Sequence, residues 1–209
     1  MSVDRLPETA GGPGREQLDF VGVARSRFRF LVDLAFEEVC AEPTFLRFER
    51  ADSFVEVFHG RASYELGVEF GRWVDVGGEV VEQKFHIGDV LPVVVPEATF
   101  TARSATSREQ VARFMEELAS SAKLVAERLE RAGLEAFDRF SEAVERQSDE
   151  YLDGVRAARL RARAEDGWHR KDFVSVIIAY EEIDSELDTV ELRESEVKRL
   201  SYARKHLDA

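Results

Sequence analysis

The sequence predicts an α+β protein: an N-terminal helix packed on an antiparallel meander of four or five strands, followed by an all-helical C-terminal unit. Three observations carry this. Apolar residues recur at helical spacing over residues 15–35. They then fall into short alternating segments bounded by turn residues, up to about Leu91. From Ser107 to the end they return to helical spacing. The expected division is a disordered tail at 1–14, an α+β domain at 15–92, a linker at 93–106 and a helical domain at 107–209. The helical domain reads as a long helical hairpin plus two shorter helices.

The elements follow in order. Residues 15–35 place Phe20, Val21, Val23, Phe28, Phe30, Leu31, Leu34 and Ala35 among Arg25, Arg27, Arg29 and Asp33, which reads as one amphipathic helix. Strands are expected at 36–41, 44–50, 54–59, 63–73 and 79–85, with turns at Glu42-Pro43, Ala51-Asp52-Ser53, Gly60-Arg61-Ala62 and Gly77-Gly78. The strand at 63–73 is the clearest. Tyr64, Leu66, Val68 and Phe70 alternate with Glu65, Gly67, Glu69 and Gly71, so one face is buried and one is wet. Gly67 and Gly71 are expected to admit another backbone closely. Ile87 to Leu91 reads as a short helical turn. Pro92 and Pro96 mark the linker, where Val93, Val94 and Val95 pack or add an edge strand.

Ser107 and Gln110 have the spacing of a capping box. Val111, Met115, Leu118, Ala122, Val125, Leu129 and Ala132 then recur at steps of 4, 3, 4, 3, 4 and 3, a coiled-coil-like seam. Gly133-Leu134 reads as a C-terminal cap with an apolar contact. A second long helix begins near Glu135, with Phe137, Phe140, Val144, Tyr151, Val155 and Ala158 inward. Gly167 is expected to break it. A short helix over 172–183 and a last one over 190–207, with Leu192, Val197, Leu200 and Ala203 inward, complete the chain.

Composition narrows the function classes. A 44% hydrophobic content with 15 Phe suffices for a folded core. No apolar run approaches the roughly 20 residues of a membrane helix, and the first residues lack the pattern of a signal peptide. With Cys40 as the one cysteine, a reducing, cytoplasmic setting is expected. Arg outnumbers Lys 24 to 5, as in proteins of high-GC bacteria. The net charge of −13 is uneven: residues 37–100 hold 13 acidic and five basic groups. Such a surface repels nucleic acid and favours a basic protein partner.

Catalytic signatures are few. No nucleophile elbow, phosphate loop or dinucleotide fingerprint occurs. The four histidines, His59, His86, His169 and His206, are not at metal-ligand spacing, so no metal or cofactor is expected. Cys40 reads as a buried, inert thiol. Glu65 and Glu69 share one strand face about 13 Å apart, beyond the range of a glycosidase pair. With Glu56 on the neighbouring strand, they form the first candidate protein-binding surface. The groove between the C-terminal helices is the second. Tyr64, His59 and His86, with Glu65, are the residues an enzyme site between the two units would use, if His59 and His86 approach across the sheet. Arg156, Arg159 and Arg163 share a helix face near His169-Arg170-Lys171; local ion pairing is the expected role.

Two stretches resemble known families. The strand block Thr44–Arg50, Phe54–Gly60 and Ser63–Glu69 resembles that of uncharacterised bacterial proteins, some of which look like immunity proteins of toxin systems. The tail from Ala157 through Trp168, Asp172, Phe173, Tyr180 and Tyr202-Ala203-Arg204-Lys205 resembles a tetratricopeptide-type helical hairpin, without the full repeat signature. Both resemblances imply protein binding and transfer no catalytic residue. The sequence therefore points to a non-enzymatic protein-binding factor, monomer or homodimer, that neutralises a basic toxin. The alternatives are an enzyme with a motif-less site and an oligomer-forming protein using the 111–132 seam.

Overall fold

The computed structural model describes residues 15–207; the tail expected at 1–14 lies outside them. Five strands form an antiparallel meander in sequence order: β1 (Glu37–Glu42), β2 (Phe45–Arg50), β3 (Ser53–His59), β4 (Glu65–Val76) and β5 (Glu79–His86). A two-residue strand, β6 (Arg103–Ser104), adds to β4 at Glu65 and Leu66. The edge strand expected near Val93 is thus supplied ten residues later. Val93 and Val94 instead extend a helix, α3 (Ile87–Val94).

The register follows from the turns. Ala51-Asp52 joins β2 to β3 with Arg50 opposite Ser53. Gly77 and Gly78, both at positive φ, join β4 to β5 with Val76 opposite Glu79. Alternation then sends Leu46, Phe48, Val55, Val57, Val68, Phe70 and Phe85 to one face, where all are buried.

That face is covered by helices. The N-terminal segment is a 3-10 turn followed by α1 (Phe20–Arg27) and α2 (Phe30–Asp33), not one continuous helix. The break lets Phe28 and Phe30, which an unbroken helix would point apart, pack ring to ring at 5.7 Å. α1 packs on β2. The capping residue Ser107 accepts from the Gln110 amide, and Gln110 reaches back to the Thr106 amide, one residue before the expected partner. They open α4 (Arg108–Ala132), whose seam from Val111 to Leu129 is buried. The seam meets α1, α3 and β4 within the chain. The Gly133 amide bonds to Leu129 O, but Leu134 is exposed and makes no apolar cap. α5 (Glu135–Arg170) begins by stacking Phe137 and Phe140 on Phe85, each at 5.9 Å.

The chain forms two compact units that divide between Ala143 and Val144, inside α5. The segment expected as a linker at 93–106 carries the end of α3 and strand β6 of the sheet, and α4 belongs with the sheet because its seam finds its partners there. In the second unit, α6 (Phe173–Glu186) and α7 (Glu194–Leu207) pack as a hairpin around Leu160, Tyr180, Ile183 and Leu200. The inward stripe of α5 is Ala157, Leu160 and Ala164; Tyr151 and Ala158, expected inward, are exposed. Small alanines let the neighbouring helices come close. Gly167 does not end α5. It admits close packing, since a Cβ there would lie 3.1 Å from Asp172 O and 3.2 Å from Ser175 Cβ. Lys171, at φ 57°, makes the turn. On α7, Val197 points outward and Glu196 inward. Among the described residues no helix is long and apolar enough to cross a membrane.

Candidate functional site

The second sheet face is not covered by these helices. Four cross-strand rows form its middle. Phe45 lies opposite Phe58, and Phe58 opposite Gly67. Arg47 lies opposite Glu56, Glu56 opposite Glu69, and Glu69 opposite His86. Glu49, Phe54, Gly71 and Lys84 make the third row, and Trp73 and Glu82 the fourth. The face reaches solvent: the side chains of Glu49, Glu82 and Lys84 are 33%, 37% and 35% exposed.

Its glycines seat aromatic rings, not a backbone. A Cβ at Gly67 or Gly71 would collide with the Phe58 or Phe54 ring. Phe54 therefore lies flat across the strand and is fully buried. Arg47 stacks above it at 4.0 Å, and Trp73 sits beside it with ring centroids 5.2 Å apart. Gly71→Ala is expected to lift the ring and cost about 1–3 kcal/mol of stability, read as a lower urea midpoint; an unchanged midpoint contradicts this packing.

The charges form one network. Arg47 reaches Glu49 at 2.7 Å, Glu56 at 2.7 Å and Glu82 at 2.8 Å. Lys84 reaches Glu56 at 2.8 Å and Glu82 at 3.1 Å. Glu56 is only 3% exposed and belongs to the interior of this network, which corrects its expected place on an acidic surface. Two hydrogen bonds from opposite strands hold its carboxylate. The Arg47 hydrogen bond, followed by that of Lys84, keeps Glu82 below the usual carboxylate range despite some burial. Glu69 differs. Burial, then the neighbouring Glu56 carboxylate, push its pKa up.

The sign of the linkage is therefore opposite for the two groups. The depressed Glu82 contributes stability above its unfolded pKa and loses it as pH falls. The raised Glu69 is at no disadvantage below its unfolded pKa of about 4.3 and destabilises the fold as pH rises through its folded value. Glu69→Gln is thus expected to raise the urea midpoint at pH 7 and to leave it unchanged near pH 4. An equal effect at both pH values would contradict the assignment.

The histidine sites do not converge. His59 lies opposite Leu66 on the helix-covered face, and His86 opposite Glu69 on the other. His59 is buried, with Nε2 2.9 Å from Ala105 O and its ring 5.9 Å from Phe20 and 5.7 Å from Tyr64. His86 accepts from the Gly88 amide at the start of α3. Of the enzyme candidates only His59 and Tyr64 are adjacent, while Glu65 points to the charged face. Among the described residues no group of three or more His, Cys, Asp or Glu is placed to hold a metal. Cys40 is half-exposed on edge strand β1, not buried, because β1 lies at the sheet margin.

The concavities are modest. A cavity beside Leu66, Phe100 and Phe114 holds about 140 Å³, below the ~300 Å³ at which ligand pockets begin. A shallow depression of about 530 Å³ borders the charged face at Glu49 and Trp73. Arg47, Phe54, Trp73 and Lys84, which give the face its character, escaped the reading of the sequence. Comparison with protein-family models, with curated proteins and with solved structures finds no match to this chain.

Proposed function

We propose that this protein acts by binding another protein through the charged face of its sheet. The composition of that face supports the reading. Arg47 and Trp73, both partly exposed, meet over the buried Phe54 ring, with Glu49, Glu69 and Glu82 in the rows beside them and Glu65 farther along β4. Aromatic residues and arginine are the types that anchor protein interfaces, and polar rims exclude water around them. The 13 acidic and five basic groups over residues 37–100 favour a basic partner and speed encounter at low salt. In this reading Glu56 holds Arg47 and Lys84 in place, while Glu65 and Glu69 meet the partner. The sharpest form is neutralisation of a basic bacterial toxin in the cytoplasm, by occlusion of its active site.

The test is affinity capture from the source cells at low and moderate salt, read by mass spectrometry. Trp73→Ala should weaken a captured basic partner by at least about 2 kcal/mol, roughly thirtyfold, and Glu65→Lys/Glu69→Lys should abolish its salt-dependent capture. A partner retained by both variants overturns the reading.

A further inference from the structure

The sheet has an open edge at β1. That strand pairs with β2 on one side, and among the described residues no strand pairs with its other side. Nor does a loop or helix backbone among them bond to Glu37–Glu42. Alternate amides and carbonyls of β1 therefore point away from the sheet with no backbone partner. Five of its six residues are exposed, Val39 at 51%. The register skips Val39, between Glu38 and Cys40, as a bulge does.

A depression borders each side of this edge. On the charged face, Glu37 and Val39 line the one at Glu49 and Trp73. Glu37 lies directly opposite Glu49, and like charges so placed cost stability. Arg50, which also lines it, is held by Glu130. Glu42 lies on the same side as Glu37, opposite Phe45. On the helix-covered face, Val32, Glu38 and Phe48 line a second depression of about 530 Å³. Val32 is 56% exposed there. Glu38 is taken by Arg25 at 2.5 Å, and Arg29 adds a further positive charge. The two sides of the edge thus suit different side chains: a cation toward Glu37 and Glu49, an apolar group toward Val32.

We infer, resting on the basic partner proposed above, that β1 receives an extended segment of that partner as an additional strand. The segment's backbone pairs with the outer groups of β1. Its lysines or arginines point to the side of Glu37 and Glu42, and its intervening apolar side chains rest on Val32. In strand addition, backbone pairing provides affinity and alternate side chains provide selectivity. Charge selects the occupant. β1 holds three glutamates and no cation, so a basic strand complements it. A second copy does not, because full overlap of two β1 strands sets Glu37 against Glu42 twice. Charges and bulges of this kind guard an edge against strands like its own and leave it open to a strand of opposite charge.

The experiment is selection of a random peptide library, about ten residues long to exceed a typical strand, on the full chain. Enriched peptides should alternate Lys or Arg with apolar residues. A synthesised representative should bind Glu37→Lys/Glu42→Lys at least about tenfold more weakly and Val32→Ser about fivefold more weakly. Circular dichroism confirms that both variants fold. Methylating the peptide's backbone nitrogens one at a time should weaken binding at every second position only, the mark of a strand ladder. Enrichment of acidic or neutral peptides, no enrichment, a response to methylation without this alternation, or binding indifferent to both variants overturns the inference. So does a dimer of the chain that Glu37→Lys/Glu42→Lys alters. A captured partner lost by Glu65→Lys/Glu69→Lys but kept by Glu37→Lys/Glu42→Lys and Val32→Ser also overturns it, while the face reading stands. Peptide binding as expected, with capture unaffected by Glu65→Lys/Glu69→Lys, supports the edge and sinks the face reading.

Discussion

Arg47→Met is expected to destabilise the protein by about 3–5 kcal/mol, the usual loss when one partner of a buried ion pair is removed. The cause is Glu56. Its side chain is 4% exposed, and Arg47 is one of the two cations that neutralise it. Without Arg47, the buried carboxylate retains only Lys84, itself shared with Glu82. Phe54 also loses the guanidinium that covers it. The double variant Arg47→Met/Glu56→Leu should recover much of the loss, because a well-packed apolar pair replaces a buried charged one at little cost. Urea unfolding of the four members of the cycle provides the coupling energy. Additive single effects would show that the two residues do not support one another.

Glu196→Ala is expected to cost about 3 kcal/mol, because an ion pair and a helix cap disappear together. Glu196 is buried at the start of α7. Its carboxylate accepts from the Arg193 amide at 2.8 Å, the return bond of a capping box, and from Arg161 Nε at 2.8 Å. Burial pushes its pKa up, yet Arg161 and the Arg193 amide outweigh burial and hold it below its ordinary value. The contribution is therefore present above the unfolded pKa of about 4.3 and lost as pH falls through the depressed one. Glu196→Gln should retain part of the stability, since an amide oxygen still accepts from Arg193. Trp168 packs against the same cluster and reports its unfolding by fluorescence in a Trp73→Phe background. An Ala variant as stable as wild type would contradict the capping role.

The meander was legible because strict alternation over Tyr64 to Gly71 and the glycine pair at 77–78 both act locally. Much of the charged face was legible too, had the turns been used as rulers. A two-residue turn at Ala51-Asp52 sets Arg47 opposite Glu56, and one at Gly77-Gly78 sets Gly71 opposite Lys84. Reading Glu56, Glu65 and Glu69 by charge alone missed the cations that these registers bring beside them. The seam of α4 was visible in its spacing, but its partners were not. Burial by α1, α3 and β4 leaves the same stripe as burial by another long helix. In α5 the continuous helix hid a change of partners near Ala143, so the stripe assigned through Tyr151 to Ala158 missed Leu160 and Ala164. Gly167 misled because glycine serves close packing as well as helix termination.

Carboxyl and tryptophan footprinting of the full chain, with and without its captured partner, tests binding through the charged face of the sheet. Complex formation should protect Glu49, Glu65, Glu69, Glu82 and Trp73. Unchanged labelling at these five positions, with protection confined to residues 144–207, would contradict it.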